Sequence, residues 1–443
     1  MSSRPLVKNA LVLLVAGSIS RLIGMVYRVV LVRIVGAEAL GLFQMITPIY
    51  RLAATLATLG VPFALPQVVA ARLGQRDRAG AVGARQAGMV LMAGASGVVC
   101  LLLIALGPTI ARAILTDARA GLALQCLPLL LIPYVAGAGW RAYFEGEQRM
   151  LPGAACQVTE GLVRVVTVSV VIAPLLALGL SYGAAGMVLS GALGEAAAWL
   201  VLFGWPRGPA WKAPALAARR RAQAARELLL LSGPIMFNQL LNSLMQALNV
   251  ALIPRRLSVA GLSAYEITTL YGRLAGMALP LLFMPMVAIH PIAHVLVPAI
   301  ADRLARGGRG LVALLFKSFG ATLLIGTVAA IAFFWFPEPL SRTLYGEPEL
   351  APMVRALAVA APFAYIDGIS SAALFGLGKS AAVFRNSVIA NAVRLVLVYL
   401  LAGQPAWGIM GVLWAAVADF GVTAVLNCRE IARFFRERGR RQQ

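Results

Sequence analysis

Apolar residues fall in blocks of about twenty along this chain, separated by short polar stretches where arginine concentrates. No block shows the period-two alternation of a strand with a polar lumen face, so a barrel is excluded and the blocks predict helices. A helix of about 20 residues crosses the hydrocarbon, and in lipid its backbone satisfies its own hydrogen bonds. The pattern predicts spans at 9–32, 39–68, 87–107, 121–142, 153–179, 183–204, 227–253, 266–299, 311–336, 352–375, 384–402 and 407–427. The second and eighth are long and carry Pro62 and Pro66, and Pro280, Pro285, Pro291 and Pro298. They are expected to kink or to extend past the membrane. The fold class is therefore an all-α polytopic membrane protein of about twelve helices.

The chain also repeats itself. GPTIARAILTD (107–117) parallels PEPLSRTLYGE (337–347), and EGLVRVVTV (160–168) parallels NAVRLVLV (391–398). Both alignments, Arg112 with Arg342 and Arg164 with Arg394, put the copies 230 residues apart. LPQVVAARL (65–73) and LVPAIADRL (296–304) follow at nearly the same shift. This predicts an N-lobe over 1–212 with helices 1–6, a basic linker helix over 213–226, and a C-lobe over 227–443 with helices 7–12 and a basic tail. Six spans per lobe make the repeat parallel, an architecture that supports rocking transport of a substrate held between lobes near the midplane.

Composition agrees: 60% of the 443 residues are hydrophobic and 13% charged. A net charge of +22 would suggest nucleic acid on a soluble chain. Here the charge lies mostly between spans, as at Arg72, Arg76, Arg78 and Arg85, at Arg141 and Arg149, and at Arg303, Arg306 and Arg309. That is a topological signal, placing both termini in the cytoplasm, with no nucleic-acid partner. Arg255 and Arg256, on a predicted outer loop, are the exception. The stretch ARRRAQAARE within the linker reads as a helix on anionic lipid headgroups. The four cysteines have no metal-like spacing, and His290 and His294 have no third ligand nearby in sequence. No phosphate loop or nucleophile–base arrangement is present, so neither a cofactor nor an enzyme activity is expected.

The chemistry lies in the charges inside spans. An arginine near a helix centre costs about 2.5–3.5 kcal/mol on insertion scales. Arg21 and Arg28 are two turns apart and share a face, with Ser18 one turn before Arg21 and Gly17 and Gly24 beside them. Arg51, Arg164, Arg273 and Arg394 continue the theme, and with Ser18 and Asn249 they are the candidate substrate-binding residues. Asn249 either bridges helices or faces a cavity. Guanidinium groups suit an anionic ligand, phosphate above all. Of the acids, Glu160 stands one turn from Arg164 and predicts a structural pair. Asp367 and Asp419 are candidates for ion coupling or for a helix-packing hydrogen bond.

Three groups of segments resemble the stage V sporulation protein B (SpoVB)-like polysaccharide transporter family. They are SRLIGMVYRVVLVRIVGAEALGLFQMITPIYRLAATLATLGVP, then RAYFEGEQRMLPGAACQVTEGLVRV, and finally NVALIPRRL, TTLYGRLAGMALPLLF and VLVPAIADRLARG. That family belongs to the multidrug/oligosaccharidyl-lipid/polysaccharide (MOP) flippase superfamily, with the MurJ lipid II flippases and the MATE drug exporters. The resemblance implies a two-lobed V shape and alternation between inward-open and outward-open states. It matches Arg21 and Arg28 to first-span arginines, and Arg51 to a span-two arginine, lining a cavity for a lipid pyrophosphate headgroup. Val29 departs from the acid often found in lipid II flippases. About twelve spans rather than fourteen leaves out the two helices that form a tail groove there. The implied function is a flippase for an undecaprenyl-pyrophosphate-linked saccharide or peptidoglycan precursor, with that lipid and anionic membrane lipids as partners and a monomer expected. The alternatives are a MATE-like cation-coupled drug exporter, which would need an acidic cavity, and a non-transporting scaffold for envelope or spore assembly.

Overall fold

The computed structural model describes residues 4–206 and 218–442, with side chains over 17–206 and 220–438. Among these residues the regular structure is helical. Eleven stretches are long and apolar enough to cross a bilayer. The first, Gly17–Gly74, runs 58 residues and exceeds one crossing several-fold. The helix is broken at Gly36, a residue without a Cβ, where φ is 75°, so this stretch supplies two spans and the total is about twelve.

In the first unit, α1 (Arg4–Thr58, interrupted at Gly36) is followed by α2 (Val61–Gly74), α3 (Arg78–Ala113) and α4 (Gly121–Gly146). Then come α5 (Leu151–Thr167), a π-helical turn over 168–172, α6 (Ala173–Ala177) and α7 (Leu180–Gly204). Helix α8 (Ala218–Val259) starts inside the basic stretch and runs on without a break through span seven. Residues 213–217 of the linker lie outside the described residues.

The chain divides into two compact units, 1–251 and 252–443. This division falls within α8, C-terminal to the 213–226 linker. The reason is packing: a Cβ on Gly60 would lie 3.1 Å from Met236 Cβ, Gly88 sits beneath Leu228, and Arg72 bonds Glu227 at 2.6 Å. Most of α8 therefore belongs to the first unit.

The second unit holds α9 (Ala264–Tyr271), a π-helical turn over 272–278, α10 (Leu279–Phe283) and α11 (Met286–Ala305). After these come α12 (Leu311–Trp335), α13 (Pro337–Tyr345), α14 (Ala351–Gly376), α15 (Ser380–Leu401) and α16 (Gly408–Gln442). The predicted eighth span, 266–299, is thus three helices and a π turn. Pro280 and Pro285 stand where its backbone ladder is interrupted.

The repeat is visible inside each unit. Gly146 ends α4 pressed on Val69 and Pro66 of α2, where a Cβ would meet Val69 Cβ at 2.6 Å. Gly376 ends α14 pressed on Val297 and Ile300 of α11, where a Cβ would meet Ile300 Cβ at 2.9 Å. The two glycines keep the sequence offset and their partners nearly so, and both sites require a residue with no side chain. A single 3-10 turn before the helix also recurs, at Ala118–Ala120 and Pro348–Leu350.

Candidate functional site

In the first half of α1, Ile23 packs on Gly161 of α5. Arg21 and Arg28 lie more than a quarter turn round the helix from that contact. Both are half-exposed, as is Ser18, so the three form a polar stripe flanking the packed face. Arg21 makes no ion pair among the described residues. Tyr27, one residue before Arg28, turns the other way. Its hydroxyl bonds Ser190 and stands near Arg164.

The second half of α1 repeats the arrangement. Thr47, Arg51 and Thr55 follow at four-residue steps, one stripe of a helix. Exposed Arg51 bonds Gln246 Oε1 of α8 at 3.2 Å, and Thr55 meets Ser243 at 3.4 Å. Asn249 continues the α8 side of this seam. Its amide donates to Met245 O at 2.9 Å, while its own carbonyl oxygen is buried with no hydrogen-bond partner among the described residues. Tyr50 again points away from its arginine neighbour, toward Tyr134 with ring centroids 6.3 Å apart and toward Glu160, Arg164 and Glu195.

Both tyrosines reach one internal network. Arg164 pairs with Glu160 at 2.7 Å, as the four-residue spacing predicted. It also crosses the α7 backbone so closely that a Cβ on Gly194 would lie 3.1 Å from its Cγ. Arg141 pairs with buried Glu195 at 3.2 Å and lies over the Tyr134 ring at 5.7 Å. Thr167 and Ser190 share a hydrogen bond of 2.5 Å beside it. A π-helical turn starts four residues past Arg164, and another contains Arg273. Such bulges re-aim side chains and concentrate at functional positions.

Two arginines assigned to basic loops are instead interior. Arg141 faces Glu195, and Arg85 is 5% exposed with its guanidinium 4.3 Å from the Trp140 ring centre. A charge near a span end looks like a topological signal in sequence; only partners 54 and 55 residues away reveal otherwise. Arg256 is likewise in the last turns of α8, over the Tyr399 ring at 4.3 Å, and not in a loop.

In the second unit, Arg273 is held by Glu347 at 3.2 Å and Glu349 at 2.6 Å. Arg394 pairs with Asp419 at 3.4 Å. Asp367 meets no cation among the described residues. Its Oδ1 accepts from Ser371 at 3.2 Å and from Asn427 at 3.4 Å, Asn386 donates to Asn427 at 2.9 Å, and Asp419 stands nearby. The sequence therefore missed Tyr27, Tyr50, Arg141, Gln246 and Asn427, and it marked Glu195 as an acid within a span without its partner Arg141. The recurring Tyr-Arg pairs at 27–28 and 50–51 were the available signal for the first two.

A family model described as polysaccharide biosynthesis protein matches residues 6–304, about two thirds of the chain. The chain belongs to the polysaccharide biosynthesis protein family. Stage V sporulation protein B of Bacillus subtilis is 29% identical to this family member over 98% of this chain and 85% of its own length. Among solved structures, an inward-facing MATE family multidrug resistance transporter of the MOP superfamily aligns with a TM-score of 0.75 at 15% identity, over 92% of both chains. A MOP superfamily transporter from Pyrococcus furiosus aligns with a TM-score of 0.64 at 16% identity, over 95% of this chain and 94% of that one. It is described as having a binding pocket of reversed polarity that suggests a different function. The resemblance to SpoVB and the all-helical, MATE-type fold expected from the sequence both stand. The chain is a multi-pass membrane protein of the polysaccharide biosynthesis protein family.

Proposed function

We propose that this chain is a flippase that carries a lipid-linked saccharide, of the undecaprenyl-pyrophosphate class and including peptidoglycan precursors, across the cytoplasmic membrane by alternating access. One observation carries the reading: Arg21 and Arg51 sit on apolar spans and meet no carboxylate among the described residues. A guanidinium left in a membrane protein at a cost of about 2.5–3.5 kcal/mol calls for a compensating anion. Phosphate oxygens accept its paired N–H groups in a fork. Arg28 and Ser18 extend the same stripe, and Gln246 and Asn249 supply neutral donors and acceptors for sugar hydroxyls.

Residues elsewhere take supporting roles in this reading. The Glu160–Arg164 and Arg141–Glu195 pairs hold the tyrosines behind both stripes. Arg394 lies at the repeat position of Arg164 and, like Arg273, is neutralised by acids, so both shape the site more than they bind the ligand. Asp367, with Asp419, takes up the coupling cation or proton. No bond is made or broken, and both termini stay cytoplasmic. The drug-exporter reading draws only on the fold, because the arginine surplus gives the first unit the polarity opposite to one that holds cations.

The test uses proteoliposomes holding a fluorescent undecaprenyl-pyrophosphate sugar, with transport read as loss of protection from an impermeant quencher. Arg21→Ala, Arg28→Ala and Arg51→Ala should each slow transport at least about tenfold, or 1.4 kcal/mol in barrier, while folding is retained. Wild-type rates in all three would remove the stripes from the mechanism. Transport of cationic drugs in place of the lipid would favour the exporter.

A further inference from the structure

Helices α12 and α16 each pack on α14. Between them, at the end where α12 begins, lies a groove of about 510 Å³. Its walls are two helical stripes, Leu315, Phe316 and Phe319 on α12 and Cys428, Ala432 and Phe435 on α16. Their three- and four-residue steps put each set on one helix face. The floor is solid: Leu315 and Ile431 join Leu296, Ile300 and Leu311 in a buried cluster. Phe316 stands 76% exposed as an outer wall, with no helix covering it among the described residues. The volume falls in the range of small-molecule pockets, roughly 300–1,000 Å³.

Charge at the mouth says what fits. Arg309 lies three residues before Val312, which also lines the groove on α12, and Arg436 lies one turn past Ala432 on α16. Lys317 and Arg429 flank the two stripes. All four are exposed, and none makes an ion pair among the described residues; Asp302 is taken by Arg306 and Glu430 by Arg385 and Arg433, which leaves exposed Glu437 as one acid against four cations. The first turn of α12 also lacks a side-chain cap, which leaves backbone N–H groups at the same end. An apolar slot opening between unpaired cations matches a molecule with a hydrocarbon chain and an anionic head.

We propose that this groove binds one acyl chain of an anionic phospholipid, with its phosphate held by Arg309 and Arg436. The site is independent of the transport stripes of the first unit. It reaches the second unit's chemistry through α16: Cys428 lines the groove, while Asn427, the preceding residue, turns inward to Asp367, Ser370 and Ser371. A bound chain braces α16 against α12 and so steadies the cluster around Asp367.

Native mass spectrometry of the purified full chain, with phosphatidylglycerol or phosphatidylcholine added, reads the site directly. Wild type should retain one phosphatidylglycerol at about tenfold lower concentration than phosphatidylcholine, a difference of about 1.4 kcal/mol. Ala432→Trp fills the slot and should abolish that retention. The Arg309→Ala, Arg436→Ala double variant should erase the preference between headgroups. A photoreactive acyl-chain phosphatidylglycerol on wild-type protein, which needs no variant to fold, should label peptides covering 312–319 and 428–435. Unchanged retention in a folded Ala432→Trp protein, labels spread around other helices, or displacement of the phospholipid by a polyprenyl phosphate would each overturn the assignment. So would a dimer whose second copy covers the groove.

Discussion

The two units carry the same helical plan with different charges in it. At the positions related by 230 residues, Arg164 matches Arg394, but Arg141 matches Ser371 and Gly137 matches Asp367. The first unit's network therefore balances two arginines against Glu160 and Glu195. The second sets one arginine against Asp367 and Asp419. The first unit thus keeps the acids of its network occupied and adds arginine stripes on α1, whereas the second keeps a carboxylate to spare. The helix packing that holds the repeat together, seen at Gly146 and Gly376, does not depend on these side chains. The repeat thus keeps its scaffold while its two interiors differ in charge, and on the function proposed above this suits the first to an anion and the second to a proton or metal cation.

The sharpest way to break this contrast is at Arg141. Removing it strands Glu195, 5% exposed, without its partner. Breaking one side of a buried pair costs about 3–5 kcal/mol. Arg141→Met should therefore cause the largest loss in thermal unfolding among the substitutions considered. Adding Glu195→Leu should restore much of it, since an apolar pair of similar size is often as stable as the buried ion pair. Ser371, at the same place in the second unit, should tolerate Ala with a loss of only about 1 kcal/mol, the net worth of an ordinary hydrogen bond. Equal losses at the two positions would mean that the interiors are not specialised.

Asp367 sharpens the other half. Asp367→Asn keeps an acceptor for Ser371 and removes a charge that no cation offsets among the described residues. Stability should hold or rise by about 1 kcal/mol, because the desolvation cost of the charge disappears. In the proteoliposome assay, dependence of transport on an ion or proton gradient should be lost. If the Asp367→Asn protein still responds fully to the gradient, coupling resides elsewhere.

The fold was largely legible because its signal is local. Apolar length fixes spans, and the repeats at 65–73 and 296–304, each with one proline, mark the helix contacts. The Glu160–Arg164 pair was legible for the same reason, one helical turn. The Arg141–Glu195 pair was not: each residue alone resembles a loop charge or a packing acid, and the pairing exists only once α4 lies on α7. The interruption of span eight was legible from Pro280 and Pro285, but its division into three helices and a π turn was not, because hydropathy continues through both prolines. Asn249 stood out as a polar residue within a span, but the seam it extends was hidden, since that seam ties Gln246 to Arg51 across 195 residues of sequence.

The smallest expected difference lies at the two outer ties, where the same loop position is charged in opposite senses. In the first unit Arg119 holds Glu38 at 2.7 Å and Asp117 at 2.7 Å. In the second, the matching positions are Glu349 and Glu347, and they hold Arg273. Residues 117 and 347 are acids in both copies, and only the matched positions 119 and 349 change sign. Arg119→Ala removes the guanidinium from Asp117, only 8% exposed, which keeps the backbone N–H of residue 119 at 2.9 Å, and losing a hydrogen bond to a charged group costs about 1.5–3 kcal/mol. Glu349→Ala removes a side chain 70% exposed, and Arg273 keeps Glu347, so the loss should stay below about 1 kcal/mol. Raising salt should shrink the second loss more than the first, since screening reaches an exposed charge more readily than a buried one. Measured in parallel thermal melts, a larger loss for Glu349→Ala would show that the buried carboxylate, and not the exposed one, is the dispensable member of this inverted pair.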